Sequence, residues 1–291
     1  MLLEQWEKSD ENVEGAEKIA LASTKLTNVF SIAPRSVPLG LNLDPMLEGS
    51  AVKAAYISAA FLLRAIAADY MDIDPEELDI CDYHVEKLPD FNTQIGEIIM
   101  NDHLPNGSGF SLYLAKNWSK MLGGLVRYSA ERNFISTLFS PEHYECVDAC
   151  YQCLKNYRNM GFHSVLDWRL GVSMLKILID QKYSAGLDGD FSAPELRGWI
   201  ERGNALIESL SNAFPQAVKK CNFGKLPGFI LDEDDDERKV ILVHELWDIK
   251  NPLEHSILAE AVSHAGSNDV RFIDYFNLHR RASWAIQNLR E

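Results

Sequence analysis

No run of about eighteen uncharged apolar residues occurs in this chain, so no segment reads as a membrane span. The longest apolar block, "AAYISAAFLLRAIAA", is interrupted by Arg64. A G-x4-G-K-S/T phosphate loop and a D-E-x-H box are both missing, which excludes ATP hydrolysis by the usual phosphate-loop chemistry. Positive charge is scarce. Against 43 Asp and Glu stand 28 Lys and Arg, and the formal net charge of -15 repels a phosphate backbone over most of the surface. A stand-alone nucleic-acid binder is therefore not expected, although local basic faces stay open at Lys155 with Arg158, Lys219 with Lys220, and Arg280 with Arg281. The opening "MLLEQWEKSDENVEG" has acids where a secretory signal needs a basic start and an apolar centre. Cysteines number five, an odd count. Together these point to a reducing cytoplasm, where clustered thiols bind metal or do chemistry more often than they form structural disulfides.

What is present suits a folded α+β chain of 291 residues, with hydrophobic residues at 46% and charged residues at 24%. "KIALASTKLTNVFSIAP" reads as extended, and the proline-rich "PRSVPLGLNLDP" as irregular. From about Gly49 to Asp72 the apolar spacing predicts a buried helix. Strands follow near "ELDICDYHV" and "GEIIMND", then a loop "HLPNGSGF" and a helix through "SLYLAKNWSKMLGGLV". Helices are predicted over "HSVLDWRLGVSMLKILIDQ" and over "APELRGWIERGNALIESLSNAF", the second with Pro194 at an early helical position. The last third, "PGFIL", an acidic turn "DEDDDE", "RKVILVHELW", a helix and "VRFIDYFNL", reads as a small α/β lobe.

Three of the five cysteines, Cys146, Cys150 and Cys153, fall within eight residues as C-x3-C-x2-C. The C-x2-C half sets two sulfurs at a chelating distance, and Cys146 can fold back onto them. A closed tetrahedral Zn²⁺ site needs one more ligand: His163, His143, Cys81 or Cys221 on this sequence. The competing accounts are small buried residues, a redox pair, or a Cys–His nucleophile. Three thiols crowded together favour a closed structural site over one activated thiolate. Elsewhere, Gly107, Ser108 and Gly109 could cradle a phosphate or simply cap a helix, and Asp102 with His103 could be an acid–base pair or an exposed loop pair. Carboxylates flanking the C-terminal strand, Asp232 and Glu245 among them, raise a metal-dependent nuclease as the alternative function.

The stretch "CVDACYQCLKNYRNMGFHSVLDWRL" resembles the helicase-associated zinc-binding domain of MrfA-like DNA-repair helicases and of the DrmA and DrmB proteins of DISARM anti-phage systems. The shared pattern is C-x3-C-x2-C-L, then Y-x-N, then H-x2-L-D before Arg or Trp. It is met by Cys146, Cys150, Cys153, Leu154, Tyr157, Asn159, His163, Leu166, Asp167 and Trp168. "MDIDPEELDI" and "IIMNDHLPNGSGF" resemble the upstream family segments, with Asn106 where a glycine is usual, and "VILVHELW" and "FIDYFNLHRRASW" resemble the tail of DrmB-type proteins. The likeness covers about residues 17 to 180. Tyr144 stands where MrfA-like members carry a further cysteine, which makes His163 the expected fourth ligand and His143 the second choice. The resemblance implies Zn²⁺ on Cys146, Cys150, Cys153 and His163. It implies a zinc-binding domain at residues 1–185, built on a zinc-stabilised helical hairpin, and a C-terminal α/β lobe at 186–291 packed on it. The function it implies is a non-catalytic accessory that docks onto a helicase-type ATPase in DNA processing or anti-phage defence and meets DNA mainly through that partner, with no membrane. A piece of a longer DrmB-like chain fits the same resemblance.

Overall fold

The computed structural model describes residues 24–47, 49, 51–81, 84–87, 94–126, 133–233, 236–266 and 269–290. The architecture is α+β, with two antiparallel-rich sheets set around a central pair of helices. The extended reading of residues 18–34 is met by β1 (Val29–Ile32), while residues 18–23 lie outside the described residues. The predicted buried helix is α1 (Val52–Met71). It is apolar and long enough to cross a membrane, yet 67% of its most apolar window is buried within the protein, as suits a core helix.

In the first sheet, β4 (Gln94–Asp102) is central. It carries β1 on one edge and β2 (Leu78–Ile80) with β3 (His84–Lys87) on the other, all antiparallel. Next come α2 (Phe110–Leu122), α3 (Phe134–Leu138) and α4 (Trp168–Ile179). Helices α1 and α4 cross where Gly171 meets Ser58: a Cβ at Gly171 would lie 3.0 Å from the Ser58 carbonyl carbon, so glycine sets the approach. Predicted from His163, α4 instead begins at Trp168. The Asp167 carboxylate accepts from the Arg169 and Leu170 N–H groups and fixes the start.

Helix α5 (Trp199–Ala213) likewise starts later than its pattern suggests, because Gly198 adopts φ +68° and Glu195 is drawn aside to Lys176. The second sheet orders β5 (Val218–Phe223), β6 (Leu226–Glu233) and β7 (Asp236–Val243) antiparallel. Helix α6 (Ser256–Ala265) then crosses over to β8 (Val270–Asp274), parallel to β7, and α7 (Tyr275–Arg280) and α8 (Ala282–Arg290) close the chain. The irregular stretch after β1 threads between the halves. Asn42 N–H donates to the Leu246 carbonyl at 2.8 Å, and Asp248 N–H to that of Gly40 at 2.8 Å. The buried core runs without a break from α1 and α4 to β6 and β7.

Candidate metal centre

The cysteine segment is not the helical hairpin that was expected; it is a series of tight turns. Pro141 opens a 3-10 turn, Pro141–Glu145, whose fixed φ suits a first helical position. His143 sits in this turn, and Cys146 ends it by donating its N–H to the His143 carbonyl at 2.9 Å. After a short bend, the Cys150 carbonyl accepts from the N–H groups of Cys153, Leu154 and Lys155, closing a knuckle that cannot continue as a helix. The Asn156 side chain then caps a second 3-10 turn, Tyr157–Phe162.

These turns gather His143, Cys146, Cys150 and Cys153, whose candidate ligand atoms all lie within 4.8 Å of one another. Cys150 Sγ is 3.7 Å from Cys153 Sγ and 3.5 Å from His143 Nε2. A tetrahedral ion with Zn–S near 2.3 Å and Zn–N near 2.0 Å calls for separations of about 3.8 and 3.5 Å. The His143 ring is buried, and its Nδ1 meets the Leu138 carbonyl at 2.9 Å, which leaves Nε2 for a metal. The Cys150 N–H donates to Cys153 Sγ at 3.1 Å, a bond that steadies a thiolate. A hydrogen bond from the Cys146 thiol, aided by His143, holds Cys153 below the usual thiol range, while the same bond and burial hold Cys146 above it. Three sulfurs and one imidazole nitrogen in tetrahedral range fit Zn²⁺.

The expected fourth ligand, His163, stands apart from this group. Its Nε2–H donates to the Asn156 carbonyl at 3.0 Å and to Asn159 Oδ1 at 2.9 Å, and the ring meets Tyr151 edge-on at 5.9 Å. The Tyr157–Phe162 turn carries the chain back with His163 facing the Asn156–Asn159 pair rather than the sulfurs. His143 takes the fourth place, and its signal was present: H-x2-C precedes C-x2-C, two chelating pairs of the same spacing. Cys81 instead contacts Asn101 Oδ1, and Cys221 lies on β5.

A second ring of contacts holds the loop. Buried Arg169 donates to the carbonyls of Tyr144, Cys146 and Val147 and stacks over Trp168 at 4.4 Å. Burial lowers its guanidinium only to about 10, so it stays charged at neutral pH. The Trp168 indole N–H donates to the Cys146 carbonyl at 3.1 Å, and its ring lies 5.0 Å from that of His143. From α7, Arg280 and His279 reach Asp148, at 3.1 and 3.4 Å, and tie the cysteine loop to that helix.

The remaining sequence candidates are spoken for. Fully buried Asp102 fills the glycine-rich turn itself: Oδ2 accepts from Ser108 and Gly109 N–H at 2.7 and 2.6 Å, and Oδ1 from Ser111 N–H at 2.7 Å. The donors a phosphate would need are thus already used. Asn106 holds φ +68°, a left-handed conformation that asparagine tolerates in place of glycine. His103 pairs with Asp79 at 3.0 Å rather than with Asp102. Asp232 lies opposite Glu237 at the β6–β7 hairpin and bonds Lys219, whereas Glu245 follows the far end of β7. Eight extended residues separate those ends, about 26 Å. The two carboxylates named for a nuclease do not converge.

The fold and donor set define the class: an α+β protein with a site of one histidine and three cysteines shaped for one tetrahedral metal ion. No protein-family model matches the chain, and no solved structure matches it. A stretch of 120 residues, 41% of the chain, is 28% identical to Druantia protein DruE of Escherichia coli (strain UMEA 4076-1) and spans 6% of the length of that relative.

Proposed function

We propose that this chain is a zinc-stabilised accessory module that docks onto a helicase-type motor in an anti-phage defence system, has no catalytic centre of its own, and meets DNA mainly through that partner. The observation that carries the reading is the His143, Cys146, Cys150 and Cys153 cluster in a chain with partial likeness to a Druantia protein. The likeness supports the defence context. The missing phosphate loop supports a supplied motor, and the anchoring of the metal loop by Arg169 and Arg280 supports a rigid docking surface. Cytoplasmic placement belongs to the same reading.

The test is co-expression with a candidate helicase-type ATPase, followed by size-exclusion chromatography and ATPase assays. The two chains should elute together, and the isolated chain should hydrolyse no ATP and cut no DNA. Mg²⁺-dependent cleavage by the isolated wild type, lost in Glu245→Ala, would overturn the accessory reading in favour of a nuclease.

A further inference from the structure

The outer side of the metal knuckle differs in character from the rest of the molecule. Residues 149–166 contain no Asp or Glu, although at the average density of 43 acids in 291 residues two or three would fall there. The same stretch presents large side chains to solvent on a backbone pinned by turns: Tyr151 is 73% exposed, Tyr157 80%, and Met160 and Phe162 are exposed beside them. Lys155 and Arg158 alternate with the two tyrosines. Arg158 is 68% exposed, and its ion pair with Glu76 at 2.8 Å is a surface contact of the kind that contributes little and exchanges readily. The row continues inward as Phe162 against Phe61, ring centroids 5.3 Å apart, with Arg64 over Phe61 at 5.2 Å.

Two partner classes favour exposed tyrosine. A protein–protein interface enriches Tyr, Phe, Met and Arg but depletes Lys. Here the cations stand between the aromatics. That interleaving suits a strand whose bases stack on rings while its phosphates meet ammonium and guanidinium groups.

We propose that the outer face of the knuckle, formed by Tyr151, Lys155, Tyr157, Arg158 and Phe162, is a stacking platform for single-stranded nucleic acid. This deepens the reading of the chain as part of a DNA-processing assembly by naming where it touches the strand. The net charge of -15 keeps the contact weak and salt-sensitive, so the platform guides a strand that a partner grips. Nothing in the contact reads base identity, because stacking accepts any π-face.

Fluorescence anisotropy of the zinc-loaded full chain with labelled oligo-dT, and oligo-U in parallel, tests the proposal. At low ionic strength wild type should bind either probe. Tyr157→Ala and Tyr151→Ala should each weaken binding about tenfold. Lys155→Gln and Arg158→Gln should each flatten the log–log salt dependence by about 0.7. Tyr151, Tyr157 and Arg158 are exposed and Lys155 is half-buried, and unchanged zinc content and thermal midpoint certify the fold of each variant. The proposal fails if wild type binds neither probe at low salt, or if the double variant Tyr151→Ala/Tyr157→Ala binds as wild type does. It fails also if that variant loses co-elution with the motor while its oligonucleotide binding is intact, since the face would then be a protein dock. Loss of co-elution bears on the motor reading, and loss of oligonucleotide binding on the platform, so the two are read apart.

Discussion

At the scale of single residues, the least comfortable groups lie at the carboxyl ends of β7 and β8. Burial, reinforced by neighbouring Asp274, pushes Glu245 up to about 8, and burial raises Asp274 to about 6. Glu245 accepts from the Phe276 N–H at 2.9 Å and from its own backbone N–H, and beside it burial lowers His244 to about 3, so no imidazolium offsets the carboxylate. The sign of the linkage follows. The folded state holds the Glu245 proton more tightly than the unfolded chain, so this stabilisation is complete below about 4.5 and is lost as pH rises through about 8. Glu245→Gln keeps the shape and removes the titration. Thermal unfolding at pH 5 and pH 8 should show the variant gaining on wild type at the higher pH; an equal difference at both would contradict a protonated Glu245.

At the scale of elements, capping decides where helices start, and it decides which sequence readings held. The α1 periodicity placed its helix within a few residues, because apolar spacing and core burial agree over twenty residues. Helices α4 and α5 start later than their patterns because Asp167, Gly198 and the Lys176–Glu195 pair act through tertiary contacts that spacing does not encode. At the entry to α2 the glycine-rich loop, open to a cap or a phosphate cradle on sequence, is closed by the Asp102 carboxylate. Burial alone would raise Asp102, but hydrogen bonds from Ser111, Gly109 and Ser108 outweigh it and hold its carboxyl below the usual range. Asp102→Ala strands three buried-loop donors and should cost about 2 kcal/mol or more in urea unfolding. Asp102→Asn, which keeps an acceptor, should cost less. An unchanged midpoint in Asp102→Ala would mean that water replaces the carboxylate and that the loop is open to an external anion.

At the scale of the whole molecule, the cysteine loop lies between α1 and α7. Ser58 of α1 donates its hydroxyl toward the Val165 carbonyl at 3.4 Å and accepts from Asp167 N–H at 2.9 Å, just behind the knuckle, and α7 reaches Asp148 in front of it. Removing an ion held there should therefore loosen the packing of α1 and α7 against the loop and not only the loop itself. The C-x3-C-x2-C spacing made the three sulfurs legible, and the mixed α+β class was legible from periodicity. The fourth position was only half legible: the H-x2-C spacing at His143 repeats that of C-x2-C, but His163 also lies near the cysteines in sequence and the direction of the Tyr157–Phe162 turn separates the two. Elemental analysis of the purified chain and two variants tests the central claim most directly. Wild type should carry about one Zn²⁺ per chain. His163→Ala should keep it, while His143→Ala should weaken retention beyond the roughly 10–100-fold that loss of an outer partner costs. A metal-free, fully folded wild type with three freely titrating thiols at Cys146, Cys150 and Cys153 would contradict the account, as would zinc that survives His143→Ala and is lost in His163→Ala.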